Sequence, residues 1–225
     1  VEVTDMGEGS YMIDFGQNMS GWMELTIVGE SGQEITIQST EVLDKEGNLD
    51  PRTTGIRATK VIQTQKYTCK GGGPEKWNPR FAYFGFRFAQ ISGLKQAPDK
   101  ELLKAKVIYS SVEDVGTFTC SEENINKLHE LSQWTIIGNI HSIPTDCPHR
   151  EKCGWTGDAH AMIQPMIFNY DAQQFFQKYM FDMRSSARVE QEELYFGYDF
   201  HDRSIVMKPA GVPTMIVPGK RTSGW

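Results

Sequence analysis

Between residues 146 and 158 the chain reads Asp-Cys-Pro-His-Arg-Glu-Lys-Cys-Gly-Trp-Thr-Gly-Asp. This run puts the carboxylates of Asp146, Glu151 and Asp158 beside the guanidinium of Arg150, the imidazole of His149 and the indole of Trp155. Acids this close repel one another, and the arrangement is useful only with a ligand, a metal or cations nearby. Paired carboxyl groups are what glycoside hydrolysis needs: one protonates the leaving oxygen, and the other attacks the sugar or activates a water. Glu151 has an aspartate on either side and Trp155 close by. Negative neighbours and an apolar wall both favour the protonated carboxyl, which makes Glu151 the candidate general acid. Asp146 and Asp158 are candidate substrate ligands, because ionised carboxylates accept strong hydrogen bonds from hydroxyl groups. Arg150 can bind a hydroxyl or steady an aspartate. Trp155 offers a flat apolar face to a sugar ring. Simpler roles exist for each acid alone: a turn for Asp146, a helix cap for Asp158, plain surface for Glu151. His149 reads equally as substrate rim or ordinary surface.

Pro148, Gly154 and Gly157 make the run a loop, and rigid elements must hold it. Upstream, Met23, Leu25 and Ile27 alternate with polar residues, as do Ile35 and Ile37, and Phe84, Phe86 and Phe88. That period of two predicts strands with one buried face. Turn signals stand at Gly29–Gly32 and Lys45–Asn48, and loops are expected at Asp50–Lys60 and Lys70–Pro74. Several short strands with regular turns predict an antiparallel sandwich over residues 1–115, with Trp22 and Trp77 in its core. From residue 116 to 225 the period changes. Ser121 is a candidate N-cap, followed by Ile125, Leu128 and Leu131. Ala159, Met162, Ile163, Met166 and Ile167 predict a second helix, kinked at Pro165. Phe175, Tyr179 and Met183 mark one face of a third, with Asp171 and Gln174 as a capping box. Beyond Arg188, prolines and glycines predict loop.

The sequence carries 23 lysines and arginines against 29 aspartates and glutamates, a formal charge of −6, with no basic run. A nucleic-acid partner is not expected, while a neutral substrate fits. No apolar run approaches the ~20 residues that span a bilayer, so no membrane partner is expected. The four cysteines show no disulfide framework. Cys147 and Cys153, with His149 and His160, lack metal-ligand spacing, so neither metal nor cofactor is expected and the thiols are read as packed.

The run from Asp146 to Asp158 resembles the signature of bacterial and fungal α-L-rhamnosidases, an Asp-Cys-Pro-x-Arg-x-Glu core leading into Gly-Trp-x-Gly-Asp. Here Glu151 follows Arg150 directly. Asp14-Phe15-Gly16-Gln17-Asn18 with Gly21-Trp22, and Pro79-Arg80-Phe81 through Gly85-Phe86-Arg87, are similar to the β-sandwich that precedes that family's catalytic domain. The resemblance implies a β-sandwich followed by the opening helices of an (α/α)6 toroid, and hydrolysis of terminal α-L-rhamnosyl residues with inversion. It also implies Glu151 as acid, Asp146 and Asp158 on rhamnose hydroxyls, Trp225 as a sugar-stacking residue, and a rhamnosylated glycoside or polysaccharide as substrate. The family's general base lies further along than this chain reaches. Glu190, Glu192 and Glu193 are the nearest glutamates but read as a solvated helix end.

The chain opens on Val1 in strand-like sequence and is read as an excerpt of a longer protein. After residue 116 there is room for roughly five or six helices, too few to close a toroid. The isolated segment is therefore expected to be inactive and aggregation-prone, needing the remainder of its own catalytic domain as partner. The competing readings are a non-catalytic carbohydrate-binding module and a related toroid glycosidase acting on another sugar.

Overall fold

The structure, a computed structural model, describes residues 1–54, 62–188, 191–196, 203–208, 210–212 and 214–218. The chain divides into two compact units. The first comprises Val1–Tyr109 with Cys147–Glu151, and the second Ser110–Asp146 with the chain from Lys152 onward.

The first unit is an antiparallel sheet. Its strands are β1 (Glu2–Gly7), β2 (Ser10–Val28), β3 (Glu34–Thr40), β4 (Gln63–Thr68), β5 (Pro74–Trp77), β6 (Phe84–Ser92) and β7 (Leu103–Val107). The hydrogen-bonded order is β1-β2-β6-β3-β4, with β5 and β7 added along β2. The 19-residue β2 is the organiser. Its first part pairs with β1 and β6, its later part with β7 and β5. The turn at Gly29–Gly32 does not make a hairpin, since β6 lies between β2 and β3.

The alternating residues of β2 and β3 behave as expected: Met23, Leu25, Ile27, Ile35 and Ile37 are buried in one core with Phe86, Ile91 and Leu103. The Phe84-Phe86-Phe88 face does not hold. Phe86 is buried, but further along β6 the fully buried positions are Ala89 and Ile91, of opposite parity. Phe88 is only half-buried, with the Arg87 guanidinium 4.9 Å from its ring centre. The change of face coincides with an irregularity in the pairing of β2 and β6, where the register slips between Asp14 and Met19. Trp77 packs on the core and stacks on Tyr67 at 5.3 Å. Trp22 is half-buried, alternating with buried Met23, and is not part of that core.

The second unit holds α1 (Glu123–Ile137), α2 (Thr156–Asn169) and α3 (Gln173–Ala187), then a hairpin of β8 (Gln191–Phe196) and β9 (Arg203–Lys208). Sequence reading placed loop and a helix end where the hairpin lies, so Glu192 and Glu193 stand on a strand; Glu190 is outside the described residues. The helix starts also differ. The N-caps are Glu122, Trp155 and Ala172, none with a side-chain capping bond. Ser121 and Asp158 therefore cap nothing, and at the first helix Asn126 instead bonds the backbone N–H and carbonyl of Cys120. Asp171 accepts one bond from the Gln173 N–H at 3.3 Å, without the reciprocal half of a capping box. Pro165 lies inside α2.

Ile136, Ile140, Met166, Tyr170, Ala172 and Phe175 form one core, and Ala159, Tyr179 and Val217 a second. Other apolar positions on the same helices are uncovered. Ile125, Leu128, Leu131, Ile167, Phe168, Met180 and Phe181 are all exposed. An apolar cleft of about 1090 Å³ runs along α2 and α3, lined among others by Ala159, Ile163, Ile167, Phe176 and Met180.

Leu25, with no exposed surface, should tolerate truncation poorly. We expect Leu25→Ala to cost about 2–5 kcal/mol through lost burial and a residual cavity, while Val28→Ala, at a position 73% exposed, costs under about 0.5 kcal/mol. Thermal denaturation of the two variants side by side checks this; equal losses would place the core elsewhere.

Candidate functional site

Three parts of the second unit fix the ends of the acid-bearing loop. Asp146 and Cys153 pair twice: the Asp146 N–H donates to the Cys153 carbonyl at 2.9 Å, and the Cys153 N–H donates to Asp146 Oδ1 at 2.8 Å. A short loop is thereby closed at its base, with Asp146 half-buried. One of its carboxylate oxygens does structural work that the sequence did not reveal. Next, Gly154-Trp155-Thr156 lies antiparallel to Met215-Ile216-Val217, through Thr156 N–H to the Met215 carbonyl at 2.9 Å and Val217 N–H to the Gly154 carbonyl at 2.8 Å. Finally, the buried Tyr179 hydroxyl donates to the same Gly154 carbonyl at 3.3 Å. Burial first, then the charges of Asp182 and Asp158, push the Tyr179 phenol above its ordinary value. Trp155 is half-buried. Asp158 is exposed in the first turn of α2, where a carboxylate also suits the helix dipole.

The tip of the loop, Cys147–Glu151, belongs to the first unit. Cys147 is buried, and its sulfur accepts the Glu151 N–H at 3.3 Å. Pro148 packs on β6 at Gly85: a β-carbon there would stand 2.7 Å from Pro148 Cγ, so only glycine lets the loop lie this close. His149 is not surface. Its side chain is 11% exposed, and Nε2 stands 2.9 Å from Glu41 Oε2. Burial opposes the charged imidazole, but the Cys147 and Glu41 side chains outweigh it and hold His149 up at about 9. For Glu41 burial opposes ionisation, and His149, Asn18 and Arg150 together hold the carboxyl below its usual range. Glu151 keeps 19% of its side-chain surface, and Arg150 Nε is 3.9 Å from its carboxylate. At 44% exposure for Arg150 that contact is weak.

The Asp14–Asn18 run supports the tip from behind. Arg87 makes a two-pronged contact with Asp14, Nε to Oδ1 at 2.8 Å and Nη2 to Oδ2 at 2.7 Å. The Arg87 hydrogen bonds, against some burial, hold Asp14 below its ordinary value. Phe15 meets Phe86 edge-on at 5.6 Å, and Asn18 Nδ2 donates to Glu41 Oε1 at 3.1 Å. Sequence reading missed Glu41: a glutamate after a strand carries no local signal of a partner so distant in the chain.

Of the candidate residues, Arg150 and Glu151 are adjacent at the tip, and Asp146, Trp155 and Asp158 belong to the second unit. Trp225 lies outside the described residues. The cysteines are free thiols, Cys69 and Cys147 buried as expected but Cys120 exposed.

The order along the chain is a long-stranded antiparallel sheet followed by three helices, with the acid-rich loop leading into α2. Two family descriptions match in tandem: the bacterial α-L-rhamnosidase concanavalin-like domain over residues 4–109, and the bacterial α-L-rhamnosidase six-hairpin glycosidase domain over residues 113–225. The chain belongs to the bacterial α-L-rhamnosidase family. An α-L-rhamnosidase of Formosa agariphila is 42% identical over 219 residues, 97% of this chain and 22% of that protein. The structure of a Dictyoglumus thermophilum α-L-rhamnosidase matches with a TM-score of 0.81 at 34% identity, over 97% of this chain and 22% of that one. A Streptomyces avermitilis α-L-rhamnosidase complexed with L-rhamnose gives 0.81 at 27% identity, over 99% and 19%. The chain thus spans about a fifth of the length of these three relatives.

At Gly154 a β-carbon would stand 2.0 Å from the Val217 carbonyl oxygen and 2.9 Å from Ile143 Cδ1. Gly154→Ala is therefore expected to part the 154–156 segment from 215–217, costing about 1–3 kcal/mol and shifting the Trp155 environment. Tryptophan fluorescence and thermal melts read this, and a variant indistinguishable from wild type would refute the pairing.

Proposed function

We propose that this chain contributes the acid side of the active site of an α-L-rhamnosidase that releases terminal α-L-rhamnosyl residues with inversion. The carrying observation is the loop itself: Glu151 sits partly buried at a tip whose base is closed by Asp146 and Cys153 and whose middle is pinned by buried Cys147 and His149. A general acid must be held within hydrogen-bond reach of the leaving oxygen, and a braced loop provides that. Glu151 is the proton donor in this reading. Asp146 keeps Oδ2 for a rhamnose hydroxyl while Oδ1 holds the loop, Asp158 and Arg150 offer further polar contacts, and Trp155 gives the ring and its methyl an apolar face. Trp225 is assigned a stacking role on the family resemblance alone. The Formosa and Dictyoglumus relatives bear the α-L-rhamnosidase name, and the Streptomyces one was solved with L-rhamnose, which supports this substrate class.

The division into a β domain at 1–115 and the opening of the catalytic domain at 116–225 belongs to the same proposal. So does the need for a partner. The exposed apolar residues of α1 to α3 and the cleft along α2 and α3 suit packing against the remaining helices of a six-hairpin domain. The general base is assigned to that remainder.

The test uses full-length protein containing this chain and a panel of aryl glycosides: α-L-rhamnoside, α-mannoside and β-glucoside. Selective rhamnoside cleavage is expected. Glu151→Gln should lower kcat by about a hundred- to ten-thousandfold with rhamnose binding retained, whereas Asp158→Asn should act mainly through KM. Cleavage indifferent to Glu151 would remove it as the acid.

A further inference from the structure

We propose that Glu41, the residue after β3, is a positioning residue for the acid loop: oriented by Asn18, it grips His149 and so fixes the backbone from Cys147 to Glu151. The proposal rests on the reading of Glu151 as general acid.

The geometry runs in one line. Asn18 Nδ2 binds Glu41 Oε1 at 3.1 Å, and Glu41 Oε2 meets His149 Nε2 at 2.9 Å. The side chains of Glu41 and His149 are 17% and 11% exposed, so water competes little with this pair. His149 stands two residues before Glu151, and the Glu151 N–H is already taken by Cys147 Sγ, so fixing His149 leaves the intervening backbone little freedom. Pro148 against Gly85 blocks the loop from sinking further into the sheet. A shift of about 1 Å at a reacting group can cost about a hundredfold in rate, which is the leverage such an anchor has.

The groups facing the pair set its pH range. Cys147 and Glu41 act on His149, which is held at about 9; His149, Asn18 and Arg150 act on Glu41, which is held low. His149 is raised, so its contribution is complete below its unfolded value and lost as pH rises through about 9. Glu41 is depressed, so its contribution is present above its unfolded value and lost as pH falls through the folded one. In Glu41→Gln one of the two groups that favour the charged imidazole is removed, so burial is less fully opposed and His149 is held less far up, with Cys147 still acting on it.

The experiment uses the full-length protein with two aryl α-L-rhamnosides, a phenyl one whose leaving group needs protonation and a dinitrophenyl one whose leaving group does not. Glu41→Gln and His149→Gln should each lower kcat on the phenyl substrate about ten- to a hundredfold. On the dinitrophenyl substrate the loss should stay under about threefold, with KM nearly unchanged, and the double variant should be no worse than either single one. A merely structural role would lower both substrates alike and overturns the proposal, as does no loss on either. Wild type and Glu151→Gln run alongside as controls. If wild type cleaves neither rhamnoside, or Glu151→Gln lacks the same leaving-group pattern, the reading of Glu151 falls and takes this inference with it. If the controls behave and Glu41→Gln does not, only the inference fails. Should the variants fold poorly, hydrogen exchange of wild type decides: corrected for intrinsic rate, the Glu151 amide should lose protection as pH passes about 9, and constant protection to pH well above that overturns the proposal.

Discussion

The closure of a short backbone loop by Asp146 on Cys153 is the constraint from which the site's other features follow. A loop with a proline, two glycines and three acids has every reason to spread: its carboxylates repel and its backbone groups seek water. Two hydrogen bonds at the base oppose that spreading. Once the base is closed, the few residues between Cys147 and Lys152 must turn back within a short span, and Lys152 takes a left-handed φ of +54° to do so. The sulfur of Cys147 then caps the turn by accepting the Glu151 N–H. A sequence motif that looks like a list of reactive groups is thus also a folding instruction. In the proposed reading Asp146 serves both, since a carboxylate has lone pairs for a backbone donor and a hydroxyl at once.

The sheet serves the loop by a different route. Its longest strand, β2, is irregular in its pairing with β6 between Asp14 and Met19, and irregular strand segments are a common way to re-aim side chains near functional sites. Here the irregular segment carries Asp14 to Arg87 and Asn18 to Glu41. The Arg87 contact matters for rigidity more than for stability, because a partly exposed ion pair is worth little by itself while its two-pronged geometry fixes orientation. From Glu41 the chain of contacts passes to His149 as a pair shielded from water. Such pairs are poor net stabilisers but costly to break by halves, which suits a part whose task is to hold one geometry.

How far the sequence disclosed this can be judged residue by residue. Met23, Leu25, Ile27, Ile35 and Ile37 were legible because a two-residue period has one physical cause, a sheet with a buried face. Phe88 was misread because that argument assumes a regular strand, and the slip opposite Asp14 was invisible without the partner strand. Phe175 and Tyr179 were legible by helical period, whereas the true cap residues, Glu122, Trp155 and Ala172, use no side-chain bond and leave no compositional mark. The paired strands at 191–196 and 203–208 were hidden by glycines and prolines around them. In the loop, Asp146, Arg150, Glu151, Trp155 and Asp158 were all visible as chemistry. The role of Asp146 as a brace and the burial of His149 were not, since both depend on contacts that composition cannot encode.

The helices present a tension of their own. Ile125, Leu128 and Leu131 recur at helical spacing, as a buried face should, yet all three are exposed. The pattern and the exposure agree if the face was selected for a surface that this chain does not itself supply. A hydrophobic stripe costs nothing while covered, but each uncovered leucine forgoes about 1.5–3 kcal/mol of burial. With Ile163, eight such exposed residues on three helices are more than scattered surface leucines explain. The sheet shows no comparable excess along β2 and β3, whose inward positions are satisfied within the first unit. The two units therefore differ in how their apolar patterns are used: the sheet buries its inward positions in its own core, while the helices leave much of their apolar pattern exposed, the observation on which the proposed packing against further helices rests.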